Sequence, residues 1–351
     1  MFGRLFGQNG FHHVFAELFG QNGGVSVALI DGFGRVHRDL RISVTDRCNF
    51  RCTYCMPADG LDWLPREDLL TFEEIERIAA LMVDRFGIDS IRLTGGEPTV
   101  RANLPVLVEK LAALGVDLAL TTNGATLGLL ADKLVAAGLR RINISLDSLQ
   151  ADRFEQLTRR NDLDRVLDGI DAALTAGLSP VKVNAVMMRG INDDEIVDFA
   201  RFGRDKGVEV RFIEFMPLDA DLSWSNDKVV TLDEIVSTVG EAFPLAPVER
   251  SHSPAAVWHY ADGQGSFGVI ASVTDAFCGS CDRVRLTAEG MFRNCLFAVD
   301  EHDLRKLIRS GASDDEIATV ISDVVKDKWA GHAINQVHFI RPGRSMSQIG
   351  G

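Results

Sequence analysis

Six cysteines offer the first chemistry in this sequence. They fall into two triplets, Cys48-x3-Cys52-x2-Cys55 and Cys278-x2-Cys281-x13-Cys295, and none is left over. Thiolates are soft ligands that select zinc or iron–sulfur clusters, and spacings of two to four residues let one loop wrap several of them around one centre. A structural zinc site could be assembled from Cys52-x2-Cys55 and Cys278-x2-Cys281, but those halves lie more than 220 residues apart and the pairing strands Cys48 and Cys295. A thioredoxin-like redox pair also leaves a third cysteine unexplained beside each pair. Three ligands per centre is the informative count, because a four-iron cluster held by three thiolates keeps one iron open to something other than protein. Six cysteines are too few for a disulfide scaffold in 351 residues. Their clustering points to metal or redox chemistry in a reducing compartment, which is the cytoplasm.

Loops of this kind must hang from a framework, and the pattern from Leu40 to about Glu214 supplies one. Short β-branched or apolar runs at 40–45, 90–94, 117–122, 141–147, 181–188 and 208–215 predict six strands. Between them, Phe72 to Phe86, Leu104 to Leu114, Leu127 to Ala137, Leu163 to Ala176 and Asp194 to Lys206 place apolar residues at helical spacing, and Thr71 with Glu74 predicts a capping box. Strands alternating with helices predict parallel βαβ units. Periodicity alone leaves two arrangements open, an incomplete parallel barrel and a doubly wound sheet, and both carry ligands at the carboxyl ends of their strands.

After Met216-Pro217 the rhythm changes to an acidic, Trp-containing loop and a turn-rich segment, VWHYADGQGSFGVIASV, that predicts a hairpin. A smaller second domain over 217–351 follows, with a helix from Asp314 to Trp329 and a tail ending in Gly350-Gly351. The domain before it covers 28–216. Residues 1–27 carry LFGQNG twice and read as a poorly ordered extension, neither secretory signal nor transit peptide. With a formal net charge of −13, no basic field draws the chain to nucleic acid or anionic lipid, and no apolar run of 18 residues could span a bilayer. An anionic ligand must therefore be held by a few placed cations.

The segment TDRCNFRCTYCMP at 45–57, directly after the first predicted strand, resembles the cluster-binding loop of the radical S-adenosylmethionine (SAM) superfamily. With the second triplet in FCGSCDRVRLTAEGMFRNC at 277–295, the chain from about Ala28 to Gly351 resembles the GTP 3′,8-cyclases of molybdenum cofactor biosynthesis. That resemblance implies an incomplete parallel, TIM-like (β/α)6 barrel over roughly 38–216, with a smaller α+β domain carrying a second cluster across its mouth. It implies two [4Fe-4S] clusters, one on Cys48, Cys52 and Cys55 and one on Cys278, Cys281 and Cys295. SAM would sit on the first cluster near Tyr54, Gly96, Ser145 and Met216. GTP would sit on the second, held by Arg41, Arg92, Thr121, Lys182, Arg283, Val284 and Arg285, with Arg283 and Arg285 also carrying a catalytic role. The reaction implied starts with a 5′-deoxyadenosyl radical that takes hydrogen from ribose C3′ of GTP, after which C3′ adds to guanine C8. Gly350-Gly351 match the family's terminal pair, which reaches toward the active site.

The resemblance further implies a flavodoxin or ferredoxin as electron donor, a downstream cyclic pyranopterin monophosphate synthase, and a monomer or homodimer. A radical SAM peptide maturase with an auxiliary cluster, or a non-catalytic zinc-binding protein, are the competing readings. The electrostatic logic agrees with a nucleotide, since arginine forks satisfy phosphate oxygens two at a time. Arg211 is a second-tier phosphate candidate, and Arg101 reads as structural. Gly263-x-Gly265-x-x-Gly268 copies a dinucleotide fingerprint, but the run after it looks like a strand, so it reads as a hairpin turn.

Overall fold

The computed structural model describes residues 27–219, 222–246, 254–334, 336 and 339–350. The repeated LFGQNG lies outside the described residues. Six parallel strands follow one another in chain order: β1 (Asp39–Ser43), β2 (Ser90–Thr94), β3 (Asp117–Thr122), β4 (Arg141–Ser145), β5 (Val181–Met187) and β6 (Glu209–Glu214). The order never reverses. A doubly wound sheet requires a reversal, so the arrangement is the partial barrel.

Each strand alternates in a way that explains this layering. Leu40 and Ile42, Ile91 and Leu93, Leu118 and Leu120, Ile142 and Ile144, Val183, Val210 and Phe212 all point to one face and are buried. That face is covered by α1 (Phe72–Phe86), α2 (Leu104–Ala112), α3 (Leu127–Ala136), α4 (Ala151–Thr158), α5 (Leu163–Thr175) and α6 (Ile196–Lys206). Five of these stand where apolar spacing predicts helices. The sixth, α4, is too short for its three buried residues, Phe154, Leu157 and Thr158, to signal a period in sequence. α1 shows how local chemistry sets the bounds. Thr71 accepts from the Glu74 amide at 3.1 Å while Glu74 accepts from the Thr71 amide at 2.8 Å, and Gly87 closes the other end at φ 68°.

The remaining elements are α7 (Leu232–Ala242), β7 (Ala256–His259), β8 (Ser266–Ile270), β9 (Arg283–Leu286), β10 (Met291–Arg293), β11 (His302–Asp303), α8 (Leu304–Arg309), α9 (Asp314–Lys326) and α10 (Met346–Ile349). β7 and β8 form the expected hairpin, and Gly263 and Gly265 in its turn have φ of 77° and 93°. Among the described residues, one sheet nevertheless joins all eleven strands, in the order β11-β10-β9-β1-β2-β3-β4-β5-β6-β8-β7. β8 pairs parallel with β6, and β9 pairs parallel with β1. The segment after residue 217 thus extends both edges of the first six strands. It also has an apolar cluster of its own, built on Leu218, Val229, Val273, Phe297, Ile334 and Ile349.

Candidate active site

The face of the sheet opposite the helices is polar. Cross-strand register lays its side chains in rows, one of which runs Arg285–Arg41–Arg92–Ala119–Arg141 and another Thr121–Asn143–Lys182–Glu209. All of these residues except Glu209 line a cavity of about 660 Å3. All six cysteines are unpaired and line it as well. Among the described residues, no three His, Cys, Asp or Glu side chains form a ready site for a single metal ion. The two triplets are spread instead along the cavity wall.

The first triplet sits on the loop after β1, and the turn after β2 braces it. The Gly96 amide donates to the Thr45 carbonyl and the Glu97 amide to the Arg47 carbonyl, each at 2.8 Å. A Cβ on Gly96 would lie 2.5 Å from the carbonyl oxygens of both Asp46 and Arg47, so only glycine permits this approach. Glu97 is buried and accepts from Thr99 Oγ1, Thr122 Oγ1 and the Asn123 amide, each at 2.6 Å, and from the Thr99 amide at 3.0 Å. Asn123 in turn donates to Asn49 Oδ1 at 2.7 Å, beside Cys48. Tyr54 donates to Asp147 Oδ2 at 2.5 Å, and Asp147 also accepts from the Val186 amide at 2.9 Å. Glu97, Asn123 and Asp147 were not singled out by sequence reasoning. Glu97 stands in the Gly95-Gly96-Glu97-Pro98 (GGEP) turn after β2, and Asn123 and Asp147 stand just past the ends of β3 and β4, the strand ends where ligands are expected.

Electrostatics divide the two triplets. Burial pushes the Cys48 thiol up to about 12 and Cys55 to about 11, and Cys52 moves the same way. Such thiols ionise when a cation arrives, so binding of iron and loss of protons are coupled there. In the second triplet burial raises Cys278, but at Cys281 the cations Arg283 and Lys328 outweigh burial and bring the thiol down to about 7. Arg283 Nη2 lies 3.3 Å from Cys281 Sγ.

In the arginine row Arg141 pairs with Asp117 at 2.5 Å and Arg41 Nε lies 3.8 Å from Asp39 Oδ1, while among the described residues Arg92 and Arg285 have no carboxylate partner. Burial lowers Arg92 to about 9, with the charge of Arg41 adding to the effect, and it lowers Arg41 and Arg285 as well. The Nε atoms of Arg41, Arg92, Arg141 and Arg283 are buried without a hydrogen-bond partner. Buried donors left open in this way call for an anionic ligand. Glu209 Oε1 accepts from Arg211 Nε at 2.6 Å and lies 3.2 Å from Lys182 Nζ, holding that pair toward the cavity.

Arg41, Tyr54, Arg92, Gly96, Thr121, Ser145, Lys182, Arg211, Met216, Arg283 and Arg285 all line the same cavity as the cysteines. Ser145 ends β4, and Met216 stands two residues past the end of β6. Val284 is the expected contact that does not line the cavity. It alternates with Arg283 and Arg285 along β9, is fully buried among core residues, and presents no side chain to the cavity. Arg101 behaves structurally, donating to the carbonyls of Val44 and Leu70 and stacking 4.6 Å over Phe72. Gly350 places its carbonyl on Arg285 Nη1. A Cβ there would lie 2.8 Å from Thr94 Oγ1.

Residues 42–203 match the Radical SAM superfamily, and residues 208–334 match Molybdenum Cofactor Synthesis C. The chain is 48% identical over 336 residues to a GTP 3′,8-cyclase of Corynebacterium glutamicum, covering 92% of this chain and 89% of that one. It is 49% identical over 328 residues to that of Streptomyces coelicolor, at 92% and 96% coverage. The chain belongs to the GTP 3′,8-cyclases. A third member of the family, from Rhodopirellula baltica, is 47% identical over 332 residues, at 93% and 92% coverage.

Among solved structures, Streptococcus suis SuiB bound to S-adenosylmethionine superposes with a TM-score of 0.58 at 14% identity, over 88% of this chain and 77% of that one. The protein anSMEcpe with bound AdoMet does so at 0.57 and 12% identity, over 87% and 88%. These two share the fold. Among the described residues, no helix of this cyclase-family chain is long and apolar enough to cross a membrane.

Proposed function

We propose that this chain is a radical SAM lyase that converts GTP to (8S)-3′,8-cyclo-7,8-dihydroguanosine 5′-triphosphate on the route to molybdopterin. Cys48, Cys52 and Cys55 hold one [4Fe-4S] cluster, and Cys278, Cys281 and Cys295 hold the other. The observation that carries this reading is that both triplets open onto one cavity whose wall bears the row Arg285–Arg41–Arg92. The 48% identity to GTP 3′,8-cyclases supports the substrate.

When bound to the first cluster, SAM supplies the radical that removes hydrogen from the ribose, chemistry no side chain offers. The chain's own residues bind, orient and exclude water. Tyr54, Gly96, Ser145 and Met216 would hold SAM, with Tyr54 fixed by its hydrogen bond to Asp147. Arg41 and Arg92 offer open donors to phosphate oxygens, Arg283 and Arg285 offer the donors not already given to Cys281 Sγ and the Gly350 carbonyl, and Lys182 and Thr121 complete the nucleotide site from the second row. Held in this way, ribose C3′ stays in contact with the reactive group, and that contact determines whether hydrogen is taken from substrate or from solvent.

The barrel over 28–216 carries the first cluster, the SAM site and the GTP-facing Arg41, Arg92, Thr121 and Lys182, and 217–351 carries the second cluster with Arg283 and Arg285. A flavodoxin or ferredoxin delivers the electron in the cytoplasm, and a cyclic pyranopterin monophosphate synthase takes the product. The protein works as a monomer or homodimer.

The test is anaerobic reconstitution followed by SAM, dithionite and GTP deuterated at C3′, with ATP as control. Deuterium should appear in 5′-deoxyadenosine only with GTP. SAM cleavage without deuterium transfer would retain the radical chemistry and reject the substrate, while no cleavage by fully loaded protein would reject both.

A further inference from the structure

Behind the cavity wall lies a buried ammonium that the proposed chemistry does not use. Lys328, two residues past α9, is 3% exposed and is not part of the cavity lining. Its Nζ lies 2.8 Å from His37 Nε2, donates to the Arg283 carbonyl at 2.8 Å and reaches Cys281 Sγ at 3.5 Å. Three N–H bonds meet three acceptors, the full complement of an ammonium. His37 Nε2 must then be unprotonated, so Nδ1 carries the ring hydrogen and donates to the Leu29 carbonyl at 3.3 Å.

Among the described residues, the groups meeting Lys328 are an imidazole, a carbonyl and a sulfur, with no carboxylate. A buried charge without a counter-charge is costly. Cys281 is the one partner that can supply negative charge. The surrounding segment is built to hold this arrangement. Arg35 Nε lies 2.5 Å from Asp31 Oδ2, and its other nitrogens donate to the carbonyls of Cys278 at 2.7 Å, Ala330 at 2.8 Å and Trp329 at 2.5 Å. The strand-side His37 and the cysteine loop are thus tied to the turn that carries Lys328.

We propose that Lys328 is a positioning residue for the second iron–sulfur centre, its ammonium donating a charge-assisted N–H···S bond to Cys281 and making that centre easier to reduce. The proposal rests on the reading that Cys278, Cys281 and Cys295 hold a cluster. Reduction adds one negative charge, which a fixed cation and a hydrogen bond to a ligand sulfur stabilise. Lys328 acts from behind the ligand and touches no substrate.

The experiment uses the full chain with Cys48, Cys52 and Cys55 replaced by Ala, so that only the second centre is loaded and read. Iron and sulfide are counted, the midpoint potential is measured by redox titration with EPR detection, and exchangeable protons near the reduced cluster are counted by ENDOR in H2O and D2O. Lys328→Met should hold the same iron, lose one exchangeable-proton coupling, and show about a tenfold lower ratio of reduced to oxidised cluster at a given potential, a shift of about 59 mV to more negative potential for one electron. Lys328→Arg should recover most of that shift. An unchanged potential and coupling in Lys328→Met overturns the proposal and leaves the cluster reading intact. A parent chain that binds no iron at the second triplet overturns the cluster reading, and the proposal with it. If Lys328→Met does not fold, Lys328→Gln keeps a donor and loses the charge, and an unchanged potential there overturns the proposal equally.

Discussion

Arg285 is almost wholly buried, and its charge is crowded by Arg41 and Arg283. A guanidinium kept there against burial and like charge is explained by an anion that arrives later. Each charge-assisted hydrogen bond contributes about 1.5–3 kcal/mol. Arg285→Ala should therefore weaken GTP binding by roughly 10- to 100-fold, measured calorimetrically on the anaerobically loaded protein, with cluster content unchanged. Arg285→Lys should recover little, because a point charge does not reproduce the fork.

His37 gives a pH prediction at the same scale. Burial, with the Lys328 ammonium adding to it, pushes this imidazole down to about 4. The unfolded chain takes up a proton below about pH 6.5, and the folded chain does not. Stability is therefore fully present above about pH 6.5 and falls as the pH drops toward about 4, at up to about 1.4 kcal/mol per unit. Urea unfolding at pH 7.5 and 5.5 should show a shallower pH slope in His37→Gln than in the natural chain. Parallel slopes would show that His37 does not titrate in this way.

The elements act by bringing loops against one another. The GGEP turn after β2 packs on the cysteine loop after β1 through paired amide–carbonyl contacts, and Gly96 is the point of closest approach. Gly96→Ala forces the Asp46 and Arg47 carbonyls away and should lower iron retained at the first triplet, read in a chain whose second triplet is replaced by Ala. The second triplet, carried by a different part of the sheet, should load normally in the complementary variant. The cause here is space and not a left-handed backbone. Gly169 fills the same kind of role away from the site, where a Cβ would lie 2.2 Å from the Gly124 carbonyl.

On the scale of the whole molecule, the sheet joins the two halves of the site. β9 hydrogen-bonds to β1, so Arg283 and Arg285, together with Cys281 just before them, come into register with Asp39 and Arg41 although more than 240 residues separate them. Gly350 closes this arrangement, with its carbonyl on Arg285 and with Ser43 and Thr94 filling the space that a side chain would take. Its φ of 78° and the 2.8 Å approach to Thr94 Oγ1 leave no room for a side chain. Gly350→Val should reduce turnover by roughly 10-fold or more, since about 1.4 kcal/mol of misplacement already produces that factor, while iron content stays at the natural level. Full activity would place Gly350 outside the working site.

Local pattern determined much of this protein. Six cysteines in two triplets specify the metal chemistry, and period-two alternation specifies which residues of each strand face the cavity. Five of the six helices covering the first six strands follow from 3.6-residue spacing, and Thr71 with Glu74 and Gly87 set the ends of α1. These features were legible because each depends on neighbours within a few residues. The choice between partial barrel and doubly wound sheet was not legible, because both arrangements impose the same alternation and differ only in which strands pair. The tertiary structure decided that β9 lies beside β1 and β8 beside β6, which turns Val284 away and aligns Arg285 with Arg41 and Arg92. Only the folded chain brings Glu97, Asn123 and Asp147 under the first triplet and Lys328 behind the second, since their partners lie 25 to 291 residues away.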